Sequence, residues 1–328
     1  MPLKNRKSAV VLLNLGTPDA PESGAIRRYL KAFLGDPRVV EAPRIVWWLV
    51  LNLVILVFRP RKLVEPYSKL WKDGDSPLRA LTIQQTEALK ARLQGYSSEY
   101  PEVCYAMTYG HPGVETVLSR LMENGTEHVL ILPLYPQYSG STSGAAFDVV
   151  AKKLMKTRHL PGITFIKDYH DHPAYIEALA DSVRNHWQTQ GQQNHLLMSY
   201  HGIPKAYVEK GDPYLEHCQT TSRLLAEALN LSDTQWSMSF QSRVGRAEWL
   251  QPYTDETMKK LGKENLSGLD VICPGFSADC LETLEEIDEE NREYFTEAGG
   301  QNFHYIPALN ANAKHIDMME QLVQDYLG

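Results

Sequence analysis

Short apolar, β-branched runs alternate with helix-period stretches along this chain, and that alternation restricts the fold more than any other feature. Residues 10–15, 103–109, 129–134 and 164–167 read as strands, with helices over 23–34, 77–93, 113–123 and 144–156 between them. The second half repeats the scheme, with strands over 195–200, 235–241, 269–273 and 303–306. Its helices read over 175–188, 214–229, 254–262, 278–298 and 313–326. Strands apolar on both faces need cover on both faces, so the expected class is α/β, with parallel sheets flanked by helices. A length of 328 residues accommodates two such units, each large enough to bury its own core.

The two halves echo one another. The first strand runs into Leu15-Gly-Thr-Pro18, and a later one into His201-Gly-Ile-Pro204. Between this turn and the second proline-ended strand, the first half spends about 45 more residues than the second. That surplus contains residues 45–58, IVWWLVLNLVILVF, in which Asn52 is the only polar residue, with Arg44 before it and Arg59, Arg61 and Lys62 after it. As a helix it would reach about 21 Å, short of the roughly 30 Å hydrocarbon core, so it cannot span a bilayer. Two tryptophans and basic flanks suit a helix lying on a membrane surface or lipping an apolar pocket; the alternative is a core helix.

Charge and motifs remove several function classes. With 33 Lys+Arg against 40 Asp+Glu the net charge is −7, and no basic block offers a phosphate-tracking surface, which argues against nucleic acid. Cys104, Cys218, Cys273 and Cys280 lack zinc-ribbon or iron–sulfur spacing and read as reduced thiols. The basic stretch 1–7 runs straight into a buried strand without a cleavage pattern, so a cytoplasmic location is expected. No phosphate-cradling glycine motif occurs. Gly140-Ser-Thr-Ser-Gly144 nearly matches a nucleophile elbow, but Thr142 stands where serine is needed, and the loop reads as a cap for the next helix. His111, His170 and His172 read as surface residues.

Two features carry chemistry. His201 sits at the carboxyl end of a parallel strand, where ligand-contacting groups of open α/β sheets collect. After Cys273-Pro-Gly-Phe276, eight carboxylates fall within fifteen residues: Asp279, Glu282, Glu285, Glu286, Asp288, Glu289, Glu290 and Glu293. Glu282, Glu286 and Glu290 recur at i, i+4 and i+8, one stripe of a regular helix, where like charges repel. A cation or a flow of protons would compensate. An imidazole facing carboxylates across one crevice suits a borderline divalent ion such as iron(II).

Five blocks in order then become recognisable: Leu13-Asn-Leu-Gly-Thr-Pro18, Leu134-Tyr-Pro-Gln-Tyr-Ser139, Ser199-Tyr-His-Gly-Ile-Pro204, Phe240-Gln-Ser-Arg-Val-Gly245 and Ala278-Asp-Cys-Leu-Glu-Thr-Leu284. Together they resemble ferrochelatases, which insert iron(II) into protoporphyrin to make haem, over residues 8–326. The resemblance implies two Rossmann-like domains of chelatase type around a porphyrin cleft. Residues 1–168 would be the first, carrying the apolar lip (45–58), and 169–311 the second, carrying the metallation residues. A helix over 312–328 would return to the first domain. His201 and Glu282 match the family's catalytic and metal-handling pair, and Glu286, Glu290 and Asp279 its acidic path. Leu15, Tyr135, Tyr138, Ser139 and Ser242 fall in these blocks and are expected to touch the porphyrin, and Trp249, in a further segment that resembles the family's, is a candidate stacking residue. Protoporphyrin IX and Fe2+ are the implied substrates, with no organic cofactor. The family often has histidine where this chain has Cys280, which puts a relay role there in doubt. No cysteine-rich tail is present in the sequence, so a protein without an iron–sulfur cluster is expected. Chelation of coproporphyrin or sirohydrochlorin, or a non-catalytic tetrapyrrole or metal carrier, are the alternatives; the greasy lip argues for protoporphyrin.

Overall fold

The computed structural model describes residues 7–94, 101–245, 247–264, 266 and 268–327, so the basic residues 1–6 lie outside it. The chain divides into two compact units, one of Met1–Tyr135, Ser139–Asp168 and Met319–Gly328, the other of Pro136–Tyr138 and Tyr169–Met318.

In the first unit β1 (Ser8–Asn14), β2 (Glu102–Met107), β3 (His128–Pro133) and β4 (Gly162–Phe165) form a parallel sheet in the order β2-β1-β3-β4. Val10, Leu12, Val129 and Leu130 are inaccessible to solvent because helices cover both faces, as their unbroken apolar runs require. These helices are α1 (Ser23–Gly35), α5 (Pro77–Gln94), α6 (Val114–Glu123) and α7 (Ala145–Leu154). Between α1 and α5 lies the apolar insertion, comprising α2 (Arg44–Val50), α3 (Leu56–Lys62) and α4 (Val64–Leu70).

The second unit repeats that strand order as β6-β5-β7-β8, again all parallel, so the echo between the two proline turns is an echo of topology. Its strands are β5 (His195–His201), β6 (Trp236–Gln241), β7 (Gly268–Ile272) and β8 (Asn302–Ile306). Its helices are α8 (Pro173–Gln190), α9 (Lys205–Glu209), α10 (Tyr214–Ala228), α11 (Thr254–Lys263), α12 (Leu281–Leu284) and α13 (Arg292–Glu297); the last helix, α14 (Ala313–Leu327), starts in this unit and from Met319 belongs to the first. In this order the chain leaves β5 toward β6 on one side and returns to β7 on the other. The carboxyl ends of β5 and β7 therefore flank a topological switch point.

Two expected helices prove irregular. The segment read as one helix over 45–58 is α2, a π-helical stretch Leu51–Ile55, and α3. The acidic helix read over 278–298 is α12, a π-helical stretch Glu286–Asn291, and α13. The four other helices expected in the second half begin and end within two residues of expectation, α8 starting two residues early at Pro173, where His172 caps it. The His172 Nδ1 accepts from the Ala174 N–H at 3.3 Å, and His170 stacks on His217 at 3.6 Å. Neither is the surface residue that sequence suggested.

Candidate metallation site

His201 is the last residue of β5, and its backbone is pinned from three sides. It pairs with Gln241 across the β5–β6 ladder, its carbonyl accepts from the Tyr214 hydroxyl at 2.9 Å, and the Gly202 N–H donates to the Gln241 carbonyl at 2.8 Å. Only glycine fits next, because a Cβ on Gly202 would lie 2.9 Å from the Gln241 carbonyl and 3.2 Å from the Trp249 ring. The His201 Nδ1 lies 2.7 Å from the Gly202 carbonyl oxygen, which can only accept. In the neutral ring the proton therefore sits on Nδ1 and the lone pair on Nε2, the form that can take a proton or hold a metal.

Gln241, at the end of β6, links the imidazole strand to the acidic segment. Its Oε1 accepts from the Ser199 hydroxyl at 2.8 Å, and its Nε2 donates to the Glu282 carbonyl at 2.8 Å and toward Glu286 Oε2 at 3.4 Å. Ser242 follows with φ of 65°, a left-handed conformation uncommon for a residue with a Cβ. The turn aims its N–H at Glu286 Oε1, 2.6 Å away, while its hydroxyl donates to Oε2. Strain of this kind gathers at functional sites. Burial pushes the Glu286 carboxyl up, with the Glu282 charge adding to it, while the Ser242 hydrogen bonds and the His201 ring pull the other way. His201, Glu282 and Glu286 are thus within electrostatic reach of one another.

The π-turn rearranges the rest of the acidic run. Glu289 and Glu290 both direct their N–H groups to the Glu285 carbonyl, and the Asn291 side-chain amide donates to the Glu286 carbonyl at 2.6 Å. Widening the turn breaks the regular i, i+4, i+8 stripe: the charge of Glu290 bears on Glu285, and Glu290 itself is raised by burial and by Glu293. Single π-turns inside helices recur at functional sites. Burial and the surrounding carboxylates, Glu290 foremost, push Glu285 up to about 7. The sequence places Glu285 in the acidic run without a role of its own; its raised proton affinity comes from burial and from the neighbours the fold gives it.

The sign of that shift gives a test. Glu285 holds its proton in the folded protein up to a pH near 7 and in an unfolded chain only to about 4.5, so its contribution to stability is lost as pH rises between the two. Glu285→Gln should melt about 2 °C above the parent at pH 8, after allowing for solvent screening, and no higher at pH 4. Melting curves at both pH values check this; equal shifts at both would remove the assignment.

Asp279 anchors a loop with both oxygens. It accepts from Tyr305 OH at 2.6 Å, Thr283 Oγ1 at 3.0 Å, the Ala308 N–H at 3.2 Å and Asn310 Nδ2 at 2.7 Å. The neighbouring Cys280 caps α12, its N–H donating to Thr283 Oγ1 at 3.0 Å, and burial raises its thiol well above the ordinary range. A buried, protonated thiol is a poor relay.

The remaining predicted contacts divide between the units. In the second, Trp249 is half-buried beside Gly202 with its Nε1 donating to the Val244 carbonyl at 2.9 Å, and the Tyr138 N–H donates to His217 Nδ1 at 3.2 Å. In the first, Leu15 packs with Tyr29 and Tyr109, and burial raises the Tyr135 phenol. Ser139 is wholly buried and accepts from the Ser141 N–H, capping the π-helical Gly140–Gly144. The loop read as a cap for the next helix is instead a π-helical turn running into α7, which starts without a side-chain cap of its own.

The insertion turns most of its apolar side chains outward. Ile45 is 80% exposed, Trp48 59% and Phe58 62%, whereas Leu51 and Leu56 are buried against α1 and the Trp47 Nε1 donates to the Leu34 carbonyl at 2.7 Å. A core helix is thereby excluded. No described helix is long and apolar enough to cross a membrane.

Three comparisons bear on this site. The ferrochelatase family profile matches residues 7–327. A ferrochelatase of Alcanivorax borkumensis is 53% identical over 325 residues, covering 99% of this chain and 95% of that protein. One from Thioalkalivibrio sulfidiphilus is 54% identical over 314 residues, covering 96% and 85%. Among solved structures, SirB from Bacillus subtilis with Fe3+ matches with a TM-score of 0.59 at 12% identity, covering 98% of this chain and 96% of that one. CbiX, described as the terminal enzyme of sirohaem biosynthesis in denitrifying bacteria, matches at 0.51 and 13% identity, covering 98% and 100%. At such identities the structural likeness concerns the fold, two parallel α/β units.

Proposed function

The chain belongs to the ferrochelatase family, and on that premise we propose that it inserts iron(II) into protoporphyrin to give protohaem and two protons, with His201 and Glu282 at the metallation centre. Porphyrin metallation must remove two pyrrole protons while a dication enters the ring. The observation that carries the reading is the His201 imidazole, held at the sheet's switch point with its Nε2 lone pair free by tautomer, within electrostatic reach of half-buried carboxylates. His201 takes the pyrrole protons or holds the metal through Nε2. Glu282 supplies an anionic ligand, and Glu286, Glu285 and Glu290 form the route for ions along the π-turn. Asp279 holds that route in place and carries no ions. Apolar contacts to Leu15, Tyr135, Tyr138 and Trp249, with polar ones from Ser139 and Ser242, would bind the ring bent, its nitrogen lone pairs turned toward the metal. We expect a colourless protein with no organic cofactor or iron–sulfur cluster.

Anaerobic incubation with iron(II) and, in parallel, protoporphyrin, coproporphyrin and sirohydrochlorin tests the substrate. Protoporphyrin should be metallated fastest. Faster turnover of either carboxylate-richer ring would replace protoporphyrin in this account, and no turnover of any would leave a carrier.

We further propose a cytoplasmic protein that rests on the membrane surface through residues 45–58, where a flat apolar substrate concentrates. The exposed Trp48 and Phe58 and the basic Arg59, Arg61 and Lys62 support it. Each large apolar side chain buried in lipid adds about 1.5–3 kcal/mol, so Trp48→Glu with Phe58→Glu should weaken binding to anionic phospholipid vesicles by roughly 100-fold or more in flotation assays. Failure of the unaltered protein to float would remove this part.

A further inference from the structure

Asp270 lies in the middle of β7 and is only 1% exposed, a costly place for a carboxylate. One oxygen is well provided for: Oδ2 accepts from Trp187 Nε1 at 2.6 Å and from the Gln193 N–H at 3.1 Å. The other is not. Oδ1 has no hydrogen-bond partner, and neither has His186 Nε2, 3.7 Å from it, nor His304 Nδ1, 3.3 Å from it. Three lone-pair-bearing atoms therefore converge on one point, all within 4.8 Å of one another. Buried polar atoms left unpaired in a native fold call for an explanation, an absent ion being one.

The sheet makes this convergence. Asp270 and His304 are register partners on β7 and β8, so their side chains leave the same face, and α8 carries His186 across that face. Trp187, the next residue of the same helix, holds the opposite carboxylate oxygen. A metal-bound carboxylate is commonly steadied in this way by an outer hydrogen bond.

We propose that His186, Asp270 and His304 form a second metal site, for a zinc-class divalent ion, separate from the metallation centre. Bonds of about 2.0–2.1 Å in a tetrahedral set place ligand atoms about 3.3–3.4 Å apart, close to the two spacings to Oδ1. Two imidazoles and one carboxylate leave a fourth position for a further ligand; the three ligand atoms themselves are buried, and the rings are 14% and 27% exposed. Burial lowers the His186 proton affinity and favours its neutral, metal-binding form. Asp270 pairs with Leu196, five residues before His201 on β5, which sets the site about 16 Å along the sheet from the catalytic imidazole. The ion would tie α8 to β7 and β8 and would not take part in turnover.

The test uses the full chain, stripped with a chelator, with His201→Ala and Glu282→Gln emptying the metallation centre. After addition of zinc sulfate and gel filtration, this protein should retain one zinc per chain, and cobalt(II) in its place should show the intense visible bands of tetrahedral coordination. His304→Ala added to that background should weaken zinc binding by about 100-fold or more and abolish the bands, and His186→Ala likewise. In the chain with its metallation centre intact, His304→Ala alone should leave iron insertion within about twofold. Imidazole nitrogen shifts of His186 and His304 on zinc addition read the same site without altering it. Absence of zinc from the double variant, zinc retained in full by His304→Ala, or no shift at either imidazole would overturn the proposal.

Discussion

Asp279→Ala is expected to lower the melting temperature by roughly 10 °C, the largest loss of stability foreseen for a single substitution in this protein. The carboxylate is 6% exposed and gathers four donors from three places: Thr283 in α12, Tyr305 in β8, and Ala308 and Asn310 in the loop beyond. Removing it strands the Tyr305 hydroxyl and the Asn310 amide among buried neighbours. Breaking such a charged network costs about 4 kcal/mol. Asp279→Asn keeps one acceptor oxygen and should recover about half of that. The loop beyond Ile306 should loosen with the α12 turn, because the Asn310 side chain also accepts from the Asp279 N–H at 2.9 Å. Thermal melts of both variants decide the matter; wild-type stability in Asp279→Ala would return Asp279 to the route for ions.

Much of this architecture could be read from the residues. Leu196-Leu-Met-Ser-Tyr200 and Leu130-Ile-Leu132 are apolar on both faces, which no exposed strand tolerates, and their spacing to the next helix admits only parallel crossovers. His201 was legible for the same reason, since a strand's end is fixed by the turn that follows it. The π-turn was not. Glu282 to Glu293 contains no glycine or proline to mark a break, and the widened turn is held by Asn291, whose side-chain amide satisfies the Glu286 carbonyl. A sequence pattern cannot tell that amide from a surface one. Gln241 was also passed over, although it lay in a recognised block, because its role is to bridge elements that meet only in the fold. The same holds for His186, Asp270 and His304, which come from one helix and two strands. The insertion was legible in composition but not in form. Its outward face follows from Leu51 and Leu56 being the side chains that α1 buries.

At the metallation centre, loss of either proposed partner should stop turnover without loss of fold. The backbone of His201 is held by Tyr214, Gln241 and Gly202 independently of its ring, so His201→Ala keeps the turn while removing the imidazole, its Nε2 lone pair and its Nδ1 contact with the Gly202 carbonyl. Glu282 meets Gln241 through its main-chain carbonyl, so Glu282→Gln keeps that contact and removes only the charge. Proton transfer by a positioned base contributes about 10²–10⁴-fold, and each variant should lose kcat in that range with little change in porphyrin affinity. Glu286 should then feel the missing neighbours. Without His201 its carboxyl loses a stabilising partner and rises further, and without the Glu282 charge it falls.

The measurement that bears most directly on the account is a single anaerobic turnover with protein in excess of protoporphyrin and iron(II) added last, followed by the absorption of protohaem. The unaltered protein should convert its bound porphyrin, while His201→Ala binds the same porphyrin and converts it at least about 100-fold more slowly. Conversion by His201→Ala at the unaltered rate would contradict the assignment of the imidazole at the end of β5 as the group on which metallation depends.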